Sequence, residues 1–325
     1  MVPQAMFENV YAKDRIRLTL SMPYAAVIHA SQMLGYLGSM RKATTQWYIA
    51  PLVYSGLAKS RTIRLRNGNA FELTRNSINK LISIGQSDES HFERVKGLGL
   101  VRSGNTASFT VRGVKVRVDA ASVAAAVGDL SSDEHAVADF NGKVVVDAGA
   151  YMGETALLYS ILGAKKVYAF EPVKPLYETM KRNIELNRLE SRIIPFMALL
   201  VGDKKEYSPS NSSFGSSEGK MIQLGEFAAR MKLKDCIIKM DCEGGEYEII
   251  RNTSSEILRR FSLLHIEYHY GYRDIVERLK AEGFEVRYSE PRIMIVGNFT
   301  GTKYAGEIVA YRKQQGGGNR AKRRH

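Results

Sequence analysis

The sequence predicts an α/β fold, a doubly wound and mainly parallel sheet preceded by a smaller helical and β N-terminal region. Three observations carry that prediction. From about Asn141 onward short apolar runs alternate with helical segments, two of those runs end in an acid beside a glycine turn or a proline, and the first 130 residues lack this alternation. Parallel strands covered by helices on both faces read as continuous apolar runs, which is the pattern seen here.

Taken in order, residues 1–60 read as helical, with Tyr24, Ile28, Met33, Leu37, Trp47 and Leu52 among the packing positions. The apolar stretch from Leu18 to Leu37 is interrupted by Pro23, His29, Ser31 and Gln32. A membrane span needs roughly 20 predominantly apolar residues, so this is read as a packed or interfacial helix. No small-residue cleavage pattern follows it, which argues against a signal peptide. Thr62 to Thr74 alternates around Asn67-Gly68-Asn69, and Ala107–Val111 and Val114–Val118 flank Arg112-Gly113. Both are hairpin signals, because Asn and Gly tolerate the positive φ of tight turns.

The main domain then offers strands at Lys143–Val146, Lys166–Phe170, Arg192–Phe196, Cys236–Met240 and Leu263–Tyr268, with helices at Glu154–Leu162 and Lys174–Asn187. Phe284–Tyr288, Arg292–Val296 and Glu307–Tyr311 read as closing strands, at least one of them antiparallel. Lys204–Gly219 is rich in Ser, Asn and Gly and reads as a mobile loop, and Gly316-Gly317-Gly318 opens a flexible basic end. The expected division is an accessory region over 1–130, the main domain over 131–313 and a basic tail over 314–325.

With 325 residues and 44 % hydrophobic composition, the chain can build one full core and a smaller second unit. Its two cysteines, Cys236 and Cys242, suit neither a bridge nor a zinc site and fit a reducing, cytoplasmic setting. The formal charge of +13 gathers before residue 100 and in the last stretch, where Arg320, Lys322, Arg323 and Arg324 have no acid among them. Solubility and a solvated tail account for it first, and a polyanion or an anionic membrane surface second.

Chemistry concentrates at three strand ends. In Val146-Asp147-Ala148-Gly149-Ala150-Tyr151-Met152-Gly153-Glu154-Thr155 a buried strand ends at an acid, a glycine turn follows and a helix begins. Glycine lets backbone approach a ligand closely, and the carboxyl edge of a doubly wound sheet is where ligands bind. Phe170-Glu171-Pro172 then places an acid about 20 residues further on, where it can accept hydrogen bonds from both hydroxyls of a ribose. The pair suits a dinucleotide or adenosylmethionine. Tyr151 stands where a dinucleotide fingerprint has its second glycine, and the Asp147 carboxylate would repel a pyrophosphate yet suit the ammonium of a methionine moiety. The balance favours adenosylmethionine. The third strand end is Met240-Asp241-Cys242-Glu243-Gly244-Gly245-Glu246-Tyr247-Glu248, where Asp241 faces the crevice. Glu243 and Glu246 favour a helix N-terminus, and Glu248 reads as a solvated face.

Asp147-x-Gly149-Ala150-x-x-Gly153, Phe170-Glu171-Pro172 and Asp241-x-Glu243-Gly244-x-Glu246 resemble the motifs of the FkbM methyltransferases, over roughly Asn141 to Glu290. The resemblance implies a class I methyltransferase (Rossmann-like) fold, adenosylmethionine as donor and methyl transfer to oxygen. Glu267-Tyr268-His269 matches the family's Glu-x-His after the fifth strand, and Cys242 departs from its usual β-branched residue. The expected cofactor set is Asp147, Gly149, Tyr151, Gly153, Thr155, Glu171 and Asp241, and the expected catalytic set is Asp241, Glu243 and His269. Methyl transfer is an in-line displacement in which the protein mainly aligns the reacting atoms. His269 is the candidate base, weighed against a structural hydrogen bond, because imidazole titrates near neutrality. A magnesium-type cation on Asp241 and Glu243 is the less favoured device, and no metal is assigned.

The leading acceptor is a small molecule or glycan hydroxyl. A nucleic acid comes second, from the basic charge, and a non-catalytic adenosylmethionine-binding protein third. Neither an Asn-Pro-Pro-Tyr segment nor a Pro-Cys pair is present, which weakens nucleobase amine and cytosine carbon methylation.

Overall fold

The computed structural model describes residues 9–11, 34–66, 68, 70–74, 77, 81, 98–203, 220–296 and 301–312. The expected loop over Lys204–Gly219, the end from Gly316 and most of the apolar stretch from Leu18 lie outside the described residues. The chain divides into two compact units, one of Met1–Val2, Ala12–Ser131 and Ile293–Lys303, the other of Pro3–Tyr11, Ser132–Arg292 and Tyr304–His325.

In the first unit, α1 covers 34–43 and α2 is Ile49–Ser55. Strands β1 (Arg61–Arg64) and β2 (Ala70–Leu73) form the expected hairpin, Arg61 opposite Leu73. Alternation sends Ile63, Phe71 and Leu73 inward against Met40, Ile49 and Val53. Strands β3 (Val101–Ser103), β4 (Thr106–Val111) and β5 (Val114–Asp119) make an antiparallel meander. The turn between β4 and β5 is the predicted Arg112-Gly113, both residues at positive φ (49° and 76°), the conformation that two-residue hairpin turns require. Strand β3 escaped the sequence reading because it is exposed throughout and shows no apolar alternation. Helix α3 (Val123–Ser131) ends this run.

The second unit is built on β6 (Val144–Ala148), β7 (Lys166–Phe170), β8 (Ile193–Phe196), β11 (Cys236–Met240), β12 (Phe261–Tyr268), β13 (Phe284–Tyr288) and β15 (Gly301–Arg312), and the expected strand Arg292–Val296, β14, pairs with β15. Their order across the sheet is β13-β15-β12-β11-β6-β7-β8. The five strands from β12 to β8 are parallel, and β15 runs antiparallel between β12 and β13. Strands β6 and β11 are buried almost throughout, as apolar runs covered on both faces must be. The fold class is the predicted one. A small parallel pair, β9 (Ala198–Val201) with β10 (Lys220–Gln223), was not anticipated, since β10 has polar ends and little apolar length.

Helices α4 (Glu154–Ile161), α5 (Lys174–Leu186), α6 (Leu224–Arg230), α7 (Gly245–Asn252), α8 (Ser255–Leu258) and α9 (Arg273–Ala281) complete the unit. The chain passes from β6 outward through β7 to β8, then returns to β11 and leaves through β12 on the other side. The order therefore reverses between β6 and β11, and a crevice opens at their carboxyl ends. Among the described residues no helix is long and apolar enough to cross a membrane.

Helix α6 is fixed by an aromatic cluster. Phe227 meets Phe170, Phe196 and Tyr168 edge-on with centroids 5.0, 5.4 and 5.2 Å away, and Phe170 stacks on Phe196 at 4.8 Å. Phe227 is fully buried. Phe227→Ala should therefore lower unfolding free energy by about 3–5 kcal/mol, measured by denaturant titration. A loss below about 1 kcal/mol would show that the cluster does not hold the helix.

Candidate active site

The crevice is lined by the loops that leave β6, β7, β11 and β12. Asp147, on β6, is completely buried. Its Oδ2 accepts a hydrogen bond from the Thr155 hydroxyl at 2.6 Å, and its Oδ1 lies 3.5 Å from Lys239 Nζ. Burial raises the Asp147 carboxyl against the opposing pull of Lys239 and Thr155. Thr155, expected at the cofactor, is thus a buried donor that orients Asp147. An ammonium already stands beside Asp147, and it belongs to the chain.

Lys239 went unnoticed in the sequence because it sits inside an apolar run. It pairs in register with Asp147 on one side and His265 on the other. Its ammonium donates to the Gly149 carbonyl at 3.0 Å and faces Asp241 Oδ2 at 3.6 Å. Burial works against this charge, yet Asp147 and Asp241 outweigh it and hold the lysine protonated.

The glycine turn is shaped by that neighbourhood. Gly149 has φ +77°, and a Cβ there would fall 1.8 Å from the Asp241 carbonyl oxygen. Its N–H and that of Ala150 both donate to the Phe170 carbonyl, at 3.1 and 2.9 Å. Tyr151 also takes positive φ (51°), which turns its N–H to Glu171 Oε2 at 3.1 Å and leaves its side chain 48 % exposed. Gly153, φ +91°, opens α4 with Met180 Cγ 3.0 Å from where a Cβ would stand. Glu171 is nearly buried, and its Oε1 accepts from Val173 N–H at 2.8 Å. Burial raises its carboxyl to about 7 against the two backbone donors.

Across the crevice Asp241 follows β11, with its Oδ1 3.7 Å from His269 Nε2. Glu243 has φ +52°, and its Oε2 lies 3.7 Å from the same nitrogen. His269 is 3 % exposed, and its Nδ1 meets Glu246 Oε1 at 2.9 Å. Glu246 itself is fully buried, its Oε2 accepting from Gly244 N–H at 2.9 Å. Beyond the helix N-terminus favoured by the sequence reading, this acid is the partner of His269. Burial lowers the imidazole's pKa, but the hydrogen bond to Glu246 and the charges of Glu246, Asp241 and Glu243 outweigh it, so the net shift is upward. Glu248 differs from expectation. It is half-buried, accepting from Gly202 N–H at 2.9 Å and from Asn252 Nδ2 at 3.2 Å.

The loop carrying His269 is pinned from two sides. The Tyr247 hydroxyl accepts from His269 N–H at 3.2 Å and Tyr270 N–H at 2.7 Å. The Asn9 carbonyl accepts from Tyr272 and Arg273 N–H at 2.9 and 3.0 Å. Glu267 adds a further carboxyl, which burial first and Asp241 second raise to about 7. The structure thus gathers Asp147, Gly149, Tyr151, Gly153, Thr155 and Glu171 on one side of the crevice and Asp241, Glu243 and His269 on the other. Lys239 is the member that sequence reasoning left out, and Glu246 and Glu267, read there only as parts of the acidic and Glu-x-His motifs, were given no place in the site.

Residues 147–286 match the model of the Methyltransferase FkbM domain. A stretch of 52 residues is 42 % identical to ribosomal protein L11 methyltransferase from Carboxydothermus hydrogenoformans, covering 16 % of this chain and 17 % of that protein. Among solved structures, Trm5 of Methanocaldococcus jannaschii in complex with adenosine is similar over 66 % of this chain and 57 % of its own, at 18 % identity and a TM-score of 0.39. TrmK of M. capricolum in complex with S-adenosyl-homocysteine is similar over 56 % of this chain and 67 % of its own, at 12 % identity and a TM-score of 0.39. The chain therefore spans about a sixth of the curated relative and less than two thirds of the first of these structures. The strand-end acids and the glycine turn at the switch point of the doubly wound sheet thus lie within the stretch, 147–286, that is similar to the Methyltransferase FkbM domain, which is less than half of the chain.

Proposed function

We propose that adenosylmethionine lies across the β6–β11 switch and that the methyl acceptor is a hydroxyl of a small molecule or glycan. On the cofactor side Glu171 takes the ribose hydroxyls. Each of its oxygens already accepts one backbone N–H and keeps a further lone pair. Gly149 and Gly153 keep the turn free of side chain, Tyr151 presents an exposed ring beside it, and Asp241 faces the cofactor's positive charges, while Asp147, buried against Thr155 and Lys239, acts from behind the turn as the partner of that lysine and not as the expected cofactor contact.

The observation that carries the hydroxyl reading is the Glu246–His269 pair at the crevice. Glu246 engages Nδ1, so Nε2 is the nitrogen left facing Asp241 and Glu243. In the neutral imidazole, with Nδ1–H donated to Glu246, the lone pair on Nε2 lowers the cost of removing a hydroxyl proton, which passes to the Asp241–Glu243–His269 cluster. The oxygen–carbon bond forms as the carbon–sulfur bond breaks, and sulfur keeps the electron pair. Four carboxylates around one imidazole also disfavour a phosphodiester at the reacting atom, since like charges in a partly buried site repel strongly. The basic charge of +13 supports the nucleic-acid reading.

Three outcomes follow. Because the free protein holds Glu171 with a carboxyl near 7, its ionised form is the hydrogen-bond acceptor and becomes scarcer as pH falls. Adenosylmethionine affinity should weaken from pH about 7 to about 5.5, with a proton released on binding. Glu171→Gln should flatten that dependence and weaken binding about ten- to hundredfold. Calorimetry in buffers of different ionisation enthalpy reads both. A wild-type affinity independent of pH would remove Glu171 from the cofactor site. Gly149→Val would drive a side chain into the Asp241 backbone and should abolish cofactor binding; normal binding by a folded variant would refute the placement of the turn. Finally, His269→Asn should bind adenosylmethionine normally yet form S-adenosylhomocysteine about 10²- to 10⁴-fold more slowly with hydroxyl acceptors. Transfer to RNA in place of hydroxyl compounds and glycans would overturn the reading.

A further inference from the structure

We infer that Asp241, Glu267 and His269 form a binding site for a divalent cation of the magnesium or manganese class. The inference rests on the hydroxyl reading for its purpose and refines it in one step: Nε2 acts on the acceptor oxygen through the cation. With Nε2 engaged, the hydroxyl proton goes to Glu243. Bond making and breaking at carbon are unchanged.

Topology brings the three donors together. Glu267 is the last but one residue of β12 and His269 is the first residue beyond its end, so both stand at the carboxyl edge of the sheet. Asp241 immediately follows β11, the parallel neighbour in which Met240 pairs with Ile266. One donor atom from each of Asp241, Glu267 and His269 lies within 4.8 Å of the other two. Donors about 2.1 Å from a common ion stand roughly 3 to 4.2 Å apart, so small side-chain rotations close the set.

The independent observation is the imidazole. His269 is almost wholly buried, and its Nδ1 is taken by Glu246, itself fully buried. Among the described residues no hydrogen bond is made to its Nε2. The nearest groups, Asp241 Oδ1 and Glu243 Oε2, are both carboxylate oxygens at 3.7 Å, beyond hydrogen-bond range. A buried imidazole with a carboxylate behind one nitrogen and acids before the other has the arrangement of a metal-bound histidine and its supporting acid. Lys239 does not fill the gap. Its ammonium is turned to Asp147, the Gly149 carbonyl and the opposite oxygen of Asp241, Oδ2. Two carboxylates and one imidazole suit a hard or borderline ion and leave coordination positions for acceptor oxygens. An acceptor carrying two adjacent hydroxyls fits those positions.

Titration of the full chain with Mn²⁺, followed by electron paramagnetic resonance, tests the site without any acceptor. The expected result is loss of the free-ion six-line signal up to one ion per chain, reversed by excess Mg²⁺. Glu267→Gln should weaken Mn²⁺ binding at least tenfold while S-adenosylhomocysteine binding, read by calorimetry, stays at the wild-type value and reports the fold. Exposed Glu285→Gln should bind Mn²⁺ as the wild type does. Retention of the free-ion signal by wild-type protein, or equal Mn²⁺ affinity in the Glu267→Gln chain, would overturn the inference. Methylation of hydroxyl acceptors that is indifferent to a chelator would leave the hydroxyl reading standing and remove the cation. Mn²⁺ binding together with transfer only to RNA would do the reverse.

Discussion

The Lys239 ammonium is the charge about which the crevice is arranged. It lies between Asp147 on β6 and Asp241 beyond β11, at the place where the strand order reverses, and donates to the carbonyl of the glycine turn. A carboxylate as buried as Asp147 stays ionised only beside a compensating cation. Removing one partner from such a group typically costs about 3–5 kcal/mol, because an uncompensated charge is left behind. The same ammonium also fixes where Gly149 can be. That glycine is in turn the only residue type that fits, since the Asp241 carbonyl occupies the space a Cβ would need. Charge pairing and close backbone approach therefore specify the same point in the fold.

That dependence explains what was legible in the sequence. The strands Lys166–Phe170, Cys236–Met240 and Phe284–Tyr288 were read with the bounds they have: the second is a fully buried apolar run, and the other two are short apolar or alternating runs bounded by turn residues. The acids at strand ends were legible for a related reason: a carboxylate ending an apolar run and followed by glycine or proline has few structural uses. Lys239 was hidden because one polar residue in Cys236–Met240 does not break the run. Its meaning lies in the register that sets it beside Asp147, and register is a tertiary fact. Glu246 and Glu248 share a short helix, and the sequence reads the first as an acid at the helix N-terminus and the second as a solvated face. One is fully buried against His269 and the other is half-buried against Gly202, a distinction made by what packs on the helix. Strands β3 and β10 stayed invisible because short or exposed strands carry too little apolar alternation.

The charge distribution has a second consequence. The chain is basic as a whole, yet Asp241, Glu243, Glu246 and Glu267 cluster around one imidazole. Surface cations act at a distance and are screened by salt over about 8–10 Å. The cluster acts at contact range in a partly buried site, where screening is weak. The +13 charge therefore bears on what approaches the protein, and the acids bear on what can occupy the reacting position.

Backbone strain sits where these demands meet. Of the residues lining the crevice, Tyr151 and Glu243 adopt positive φ without being glycine, at 51° and 52°. Left-handed backbone at such residues costs on the order of 1 kcal/mol or more and persists only where the surroundings impose it. For Tyr151 the compensation is plain: the conformation delivers its N–H to Glu171, giving that buried carboxylate a donor. For Glu243 the loop turns so that its carboxylate reaches toward His269 Nε2 and the next residue, Gly244, at φ +114°, donates its N–H to Glu246. A Cβ on Gly244 would stand 2.7 Å from the Tyr270 ring, so the His269 loop closes over this turn. Each strained residue thus serves an acid, Glu171 on the cofactor side and Glu246 behind the imidazole. The crevice stores its strain in the two turns that aim its carboxylates.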